Sequence, residues 1–155
     1  MEWICKSFNE LSNDELYQIM KARVEIFVVE QECPYPELDG HDQVSQHLYG
    51  IEDGQIAVYA RLVPKNTKYK EASIGRVIVT QPFRGRGYGH QLMEKSVEFL
   101  TKEWNETVIK LQAQEHLRNF YGAHGFEVIS EPYMDDGIPH VDMLYPALTS
   151  SNTPT

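Results

Sequence analysis

The sequence predicts a mixed α/β (α+β) fold, with a central mixed, mostly antiparallel sheet of six to seven strands flanked by about four helices. Three observations lead there. Strand-like runs alternate with amphipathic helical stripes along 155 residues, with no repeat and no linker. Asp53-Gly54 joins two such runs as a tight hairpin. Ile74 to Val79 carries apolar residues on both faces, as in a sheet covered on both sides.

The elements follow in order. Trp3 to Phe8 reads as the first strand. Ser12-Asn13-Asp14-Glu15 has the spacing of a capping box, in which Ser12 accepts from the amide three residues on and Glu15 reaches back. Leu16, Met20, Val24 and Phe27 then recur at helical spacing, so a capped helix is expected from about residue 13 to 28. Pro34 and Pro36 exclude helix from the acid-rich stretch Glu30 to Asp42, which reads as a loop. His47 to Glu52 and Gln55 to Val63 are strands, and Ile74 to Val79 is a third after a loop of Lys and Asn. Leu92, Ser96, Val97 and Leu100 give a helical stripe, and Val108 to Gln114 is a strand with Ile109, Leu111 and Ala113 on one face. His116 to Ala123 is a short helix ended by Gly125. Phe126 to Ser130 is a strand, and His140 to Tyr145 is another after a turn at Asp136-Gly137. Residues 1–148 are expected to form a single domain and 149–155 a disordered tail.

Composition narrows the classes of function. With 41% hydrophobic and 24% charged residues, and no apolar run near the roughly 20 residues that span a bilayer, no membrane partner is expected. Met1 to Lys6 lacks the features of a secretory signal, so a cytoplasmic protein is expected, with Cys5 and Cys33 reduced. A formal charge of −9 argues against nucleic acid, whose binding requires neutralising phosphates. Neither Cys-x-x-Cys nor His-Glu-x-x-His occurs, so no metal is implied.

Arg84-Gly85-Arg86-Gly87-Tyr88-Gly89, between a buried strand and a helix, has the ingredients of an anion site. Glycines let amides converge, a helix start leaves donors unsatisfied, and two arginines add charge. A Walker loop is excluded because no Gly-Lys-Ser/Thr follows, and a dinucleotide fingerprint because His90 stands where it needs glycine. The segment resembles the pyrophosphate loop of the GNAT superfamily of N-acetyltransferases, through Arg84, Gly87 and Gly89. Phe120-Tyr121-Gly122-Ala123-His124-Gly125-Phe126 is similar to a second motif of that superfamily. Arg23 to Gln31, Cys33 to Asp42 and Gly137-Ile138-Pro139-His140 together resemble its ElaA-type branch.

The resemblance implies acetyl-coenzyme A as co-substrate and a primary amine of a small molecule or peptide as acceptor, joined by direct attack in a ternary complex. It places the pantetheine arm on the main chain of Val77, Ile78 and Val79, the pyrophosphate on Arg84, Gly85, Arg86, Gly87, Tyr88 and Gly89, and a further contact at Gln114, where relatives often carry Asn. Tyr121 matches the group that protonates the departing thiolate. The loop from Glu30 to Asp42 would cover the acceptor, with Glu37, Asp39 and Asp42 attracting a cationic amine and His140 beside them. Glu37, Asp39, Asp42, His116 and His140 all stay open as general base. A non-catalytic acyl-coenzyme A sensor or structural module is the alternative reading, an interaction protein with a purely structural loop is a third, and a homodimer stays open.

Overall fold

A computed structural model of the chain describes residues 1–147; the expectation for 149–155 lies outside the described residues. The elements run β1 (Glu2–Ser7), α1 (Asn13–Val24), β2 (Gln46–Glu52), β3 (Gln55–Val63), β4 (Ala72–Val79), α2 (Tyr88–Glu98), β5 (Ile109–Gln114), α3 (Arg118–Gly122), β6 (Glu127–Val128), β7 (Tyr133–Asp135) and β8 (Ile138–Tyr145). They form one eight-stranded sheet in the order β1-β2-β3-β4-β5-β8, with β6 and β7 both paired to the far edge of β8. Every pairing is antiparallel except β4 with β5.

The local signals set the local structure. Ser12 Oγ accepts from the Glu15 amide at 3.1 Å and Glu15 Oε1 from the Ser12 amide at 2.7 Å, closing the capping box of α1. Asp53 (φ +54°) and Gly54 (φ +70°) make the β2–β3 turn with two positive backbone angles, the geometry that follows the right-handed twist of a hairpin. Local details differ from the expected ones. Helix α1 stops at Val24 and continues to Glu30 in wider turns, in which the Gln31 amide reaches Ile26 O at 3.1 Å and the Cys33 amide reaches Val28 O at 3.0 Å. Its buried stripe is Ile19, Ala22, Arg23 and Ile26, whereas Val24 faces outward. Strand β7, three residues long, is too short to show alternation, and among the described residues the α-helices number three.

Strand β3 shows why its sequence is apolar throughout. Val58, Ala60 and Leu62 pack beneath α2 with Leu92, Met93 and Leu111, whereas Tyr59 faces α1 with Ile19, Ala22 and Ile26. Both faces are covered, so alternation carries no polar signal. Leu92 is fully buried, and truncation to alanine there is the kind of change that costs about 2–5 kcal/mol.

The feature that positions the site is a defect in this sheet. Strands β4 and β5 pair only at Ala72 with Ile109 and Ser73 with Lys110, and then diverge. On the other edge of β4, Tyr59 stands opposite Ile78 and Arg61 opposite Gly75, so Arg76 and Val77 together oppose Ala60. This is a β-bulge, which bends its strand. Arg76 has φ +53°, costly for a side chain of its size, and its guanidinium is anchored by Nε donating to Glu37 Oε2 at 2.8 Å and Nη2 to Glu37 O at 2.9 Å.

Candidate active site

Where β4 and β5 part, a cleft of about 550 Å³ opens through the sheet. One wall is the free edge of β4. The Thr80 amide donates to Ala57 O on β3 at 2.9 Å, so alternation turns the Val79 amide the opposite way, toward the cleft, while Val77 sits in the bulge, where alternation breaks. The same alternation corrects the expectation for Ile78: its main-chain groups face β3 and its side chain is buried beneath α1. Val77 and Val79 both line the cleft.

The glycine-rich turn closes one end. Gly85 (φ +81°) and Gly87 (φ +78°) are both left-handed, and Gly87 caps α2 without any side-chain acceptor, leaving the first-turn amides unsatisfied. Gly89 serves packing: a Cβ there would lie 3.3 Å from Phe120 Cζ and 3.5 Å from Val79 Cγ2. Arg84 Nε donates to Val79 O at 2.8 Å and its Nη2 to Glu30 at 2.9 Å, while Arg86 pairs with Glu52 at 3.0 Å. Tyr88 turns its hydroxyl away to the same Glu52, at 2.8 Å. Arg84 and Arg86 are 42% and 50% exposed, so their ion pairs are worth at most about 1 kcal/mol and are readily exchanged for a phosphate.

Tyr121, on α3, lines the cleft with its ring edge-on to Phe120, 5.0 Å between centroids. Its hydroxyl makes no hydrogen bond among the described residues, and burial pushes its pKa up to about 12. Gln114 ends β5 directly opposite His140 on β8, and both line the cleft, as does His116. His140 Nδ1 lies 2.7 Å from Ile138 O, and a carbonyl only accepts. The proton therefore sits on Nδ1, and Nε2 keeps a free lone pair.

The acidic loop requires a correction. Glu37 and Asp42 are buried, and with Asp39 they face inward onto three arginines that the sequence reading did not single out in any such role. Arg23 Nε donates to Glu37 at 2.6 Å and its Nη1 to Asp42 at 2.6 Å; Arg61 grips Asp39 through both Nη atoms at 2.7 Å and reaches Asp42 at 3.1 Å; Arg76 bridges Glu37 and Asp39. Burial alone would raise the Asp42 and Asp39 carboxyls, but the arginines outweigh it and hold both below the usual carboxylate range. His47 locks the loop's end, its Nε2 donating to Asp42 O at 2.9 Å and its Nδ1 accepting from the Tyr59 hydroxyl at 2.6 Å. The loop is a neutral clamp, and its carboxylates offer nothing to a cationic amine.

Among the described residues no group of three or more His, Cys, Asp or Glu could hold a metal, and no helix is long and apolar enough to cross a membrane.

Comparison with known proteins gives the same reading. Residues 10–146 match the sequence model of the family described as Acetyltransferase (GNAT) domain. The chain is 40% identical over 145 residues to Protein ElaA of Escherichia coli, covering 92% of this chain and 95% of that protein. It superposes on the crystal structure of an acyl-CoA N-acyltransferase from Pseudomonas aeruginosa with TM-score 0.87, at 41% identity over 93% of this chain and 99% of the other. The crystal structure of Escherichia coli ElaA gives TM-score 0.87 at 39% identity over 92% and 97% of the two chains. With a free strand edge, an uncapped glycine-rich helix start and a buried tyrosine on one cleft, and with relatives matched over nearly its whole length, this chain belongs to the GNAT acyltransferase superfamily, in its ElaA-type branch.

Proposed function

We propose that the chain moves an acetyl group from acetyl-coenzyme A to a primary amine of a small molecule or peptide, by direct attack in a ternary complex. The observation that carries this reading is the convergence of the β4 edge and the start of α2 on one cleft. Main-chain amides of Val77 and Val79 suit an amide-bearing pantetheine arm, and the first-turn amides of α2 with Arg84 and Arg86 suit a pyrophosphate. The bound coenzyme supplies the activated acyl group. Tyr121 stays protonated at neutral pH and donates its phenolic proton to the departing sulfur. His140 Nε2 takes a proton from the amine, directly or through one water. Asp39 and Asp42 are poor bases here, because the arginines stabilise their charged forms, and Glu37 is buried and held by Arg23 and Arg76. The reading is tested by incubating the protein with acetyl-coenzyme A and an amine panel and measuring free thiol; release no faster than hydrolysis with every amine would return the chain to a coenzyme-binding module.

Two expected results follow from the geometry. Replacing Arg84 and Arg86 together with alanine weakens coenzyme A binding by roughly 1–3 kcal/mol per lost charge-assisted contact, and removes the arginine partners of Glu30 and Glu52. Calorimetry on the double variant reads it directly. For His140→Gln, turnover falls by about 10²–10⁴-fold. Single-turnover rates read it, and an unchanged rate would assign the proton to another group, such as His116.

A further inference from the structure

The clamp spends its three carboxylates, but its arginines keep donors in reserve. Arg61 is 1% exposed, and its Nε is buried without any acceptor among the described residues. Arg76 uses Nε and Nη2, leaving Nη1 without an acceptor among the described residues. Lys68, exposed at the rim, has only the face of Tyr69, 5.6 Å away, and no acid partner among the described residues. All three line the cleft. Desolvation, and then the charges of Arg76 and Arg61, pull the Lys68 ammonium pKa down, against the weaker pull of Asp39 and Asp135.

The opposite wall carries acids as well. Asp135 accepts from Gln112 Nε2 at 2.8 Å, Glu30 is held by Arg84, and Asp136 lies exposed on its turn. Two guanidinium groups, charge-balanced by the carboxylates of the clamp, and one ammonium thus bring unspent donors to one small space. An unpaired buried guanidinium donor calls for an acceptor, and a forked set of cationic donors fits an oxyanion better than a carbonyl.

We infer that the acceptor amine carries an oxyanion, a carboxylate or a phosphate, seated by Arg61, Arg76 and Lys68. The inference rests on the acetyl-transfer reading and reverses the expectation that acidic residues recruit a purely cationic amine. The pantetheine arm shares the 550 Å³ cleft, which leaves room for a small molecule of the amino-acid kind.

Product binding tests this without turnover. The protein saturated with coenzyme A is titrated calorimetrically with N-acetylglycine, N-acetyl-β-alanine and N-acetyl-O-phosphoethanolamine, each against its neutral counterpart, the two amides and N-acetylethanolamine. At least one anionic member is expected to bind about 10-fold or more tightly than its counterpart, and which one does so identifies carboxylate or phosphate. Lys68→Met, an exposed substitution outside the clamp, is expected to lose most of that preference while keeping wild-type affinity for coenzyme A. Equal affinities within every pair would overturn the inference, and so would an undiminished preference in Lys68→Met. Failure of coenzyme A itself to bind would contradict the acetyl-transfer reading and remove the inference with it.

Discussion

Tyr121→Phe is expected to lower kcat by about 10²–10⁴-fold while leaving the Kd for acetyl-coenzyme A near wild type. The substitution keeps the ring against Phe120 and Phe126 and removes one oxygen that satisfies no partner within the described residues. Packing predicts almost no change in stability from such a swap. Catalysis predicts a large loss, since the hydroxyl lines the cleft, stays protonated at neutral pH and has no competing acceptor among the described residues. Single-turnover rates are the appropriate readout, because a slow product release would hide the chemical step. A variant that folds, binds coenzyme and transfers acetyl at the wild-type single-turnover rate would remove Tyr121 from the mechanism.

Arg23→Met is expected to destabilise the fold by about 3–5 kcal/mol, the typical loss when one partner of a buried ion pair is removed. Arg23 has no exposed surface and contacts both Glu37 and Asp42, so the variant strands carboxylates that cannot reach water. The pH dependence has a definite sign. Asp39 and Asp42 have folded-state pKa values below their unfolded ones, so their contribution is fully present above about pH 4, where the unfolded carboxyls are ionised, and is lost as pH falls through the lower folded values. Urea denaturation of the wild type should therefore give a flat midpoint from neutral pH to about 5 and a steep fall below about 4. Without Arg23, Asp42 loses its strongest counter-charge, so the plateau is lower and the acidic fall shallower. An unchanged midpoint at neutral pH would show that Arg61 and Arg76 suffice to neutralise the loop.

What the sequence disclosed, and what it did not, divides by distance along the chain. The capping box needs only residues three apart, Ser12 and Glu15, and the β2–β3 turn needs only Asp53 and Gly54, so both were legible. The strain at Gly85 and Gly87 was legible for the same reason. The splay of β4 from β5 was not. It depends on a bulge at Arg76 and Val77, and a non-glycine residue at φ +53° carries no mark in the sequence. Its stability comes from Glu37, thirty-nine positions away. The acid-rich loop was misjudged because its partners, Arg23, Arg61 and Arg76, lie on three separate elements. One clue stood in each place: Arg23 shares the helical stripe of Ile19, Ala22 and Ile26, and Arg61 interrupts an apolar strand. An arginine at a core position implies a buried acid somewhere, and the only acids dense enough to answer were those of the loop. His140 was named from its neighbours in the motif, but its value as a base rests on the Ile138 carbonyl, which the sequence does not place.

The most direct test of the account is an amide NMR titration of isotopically labelled protein with acetyl-coenzyme A. The account predicts that shifts concentrate on the amides of Val77 and Val79 along the free β4 edge and of Gly87, Tyr88 and Gly89 at the start of α2. Saturable binding that leaves these amides unmoved, or no binding at millimolar coenzyme, would contradict it.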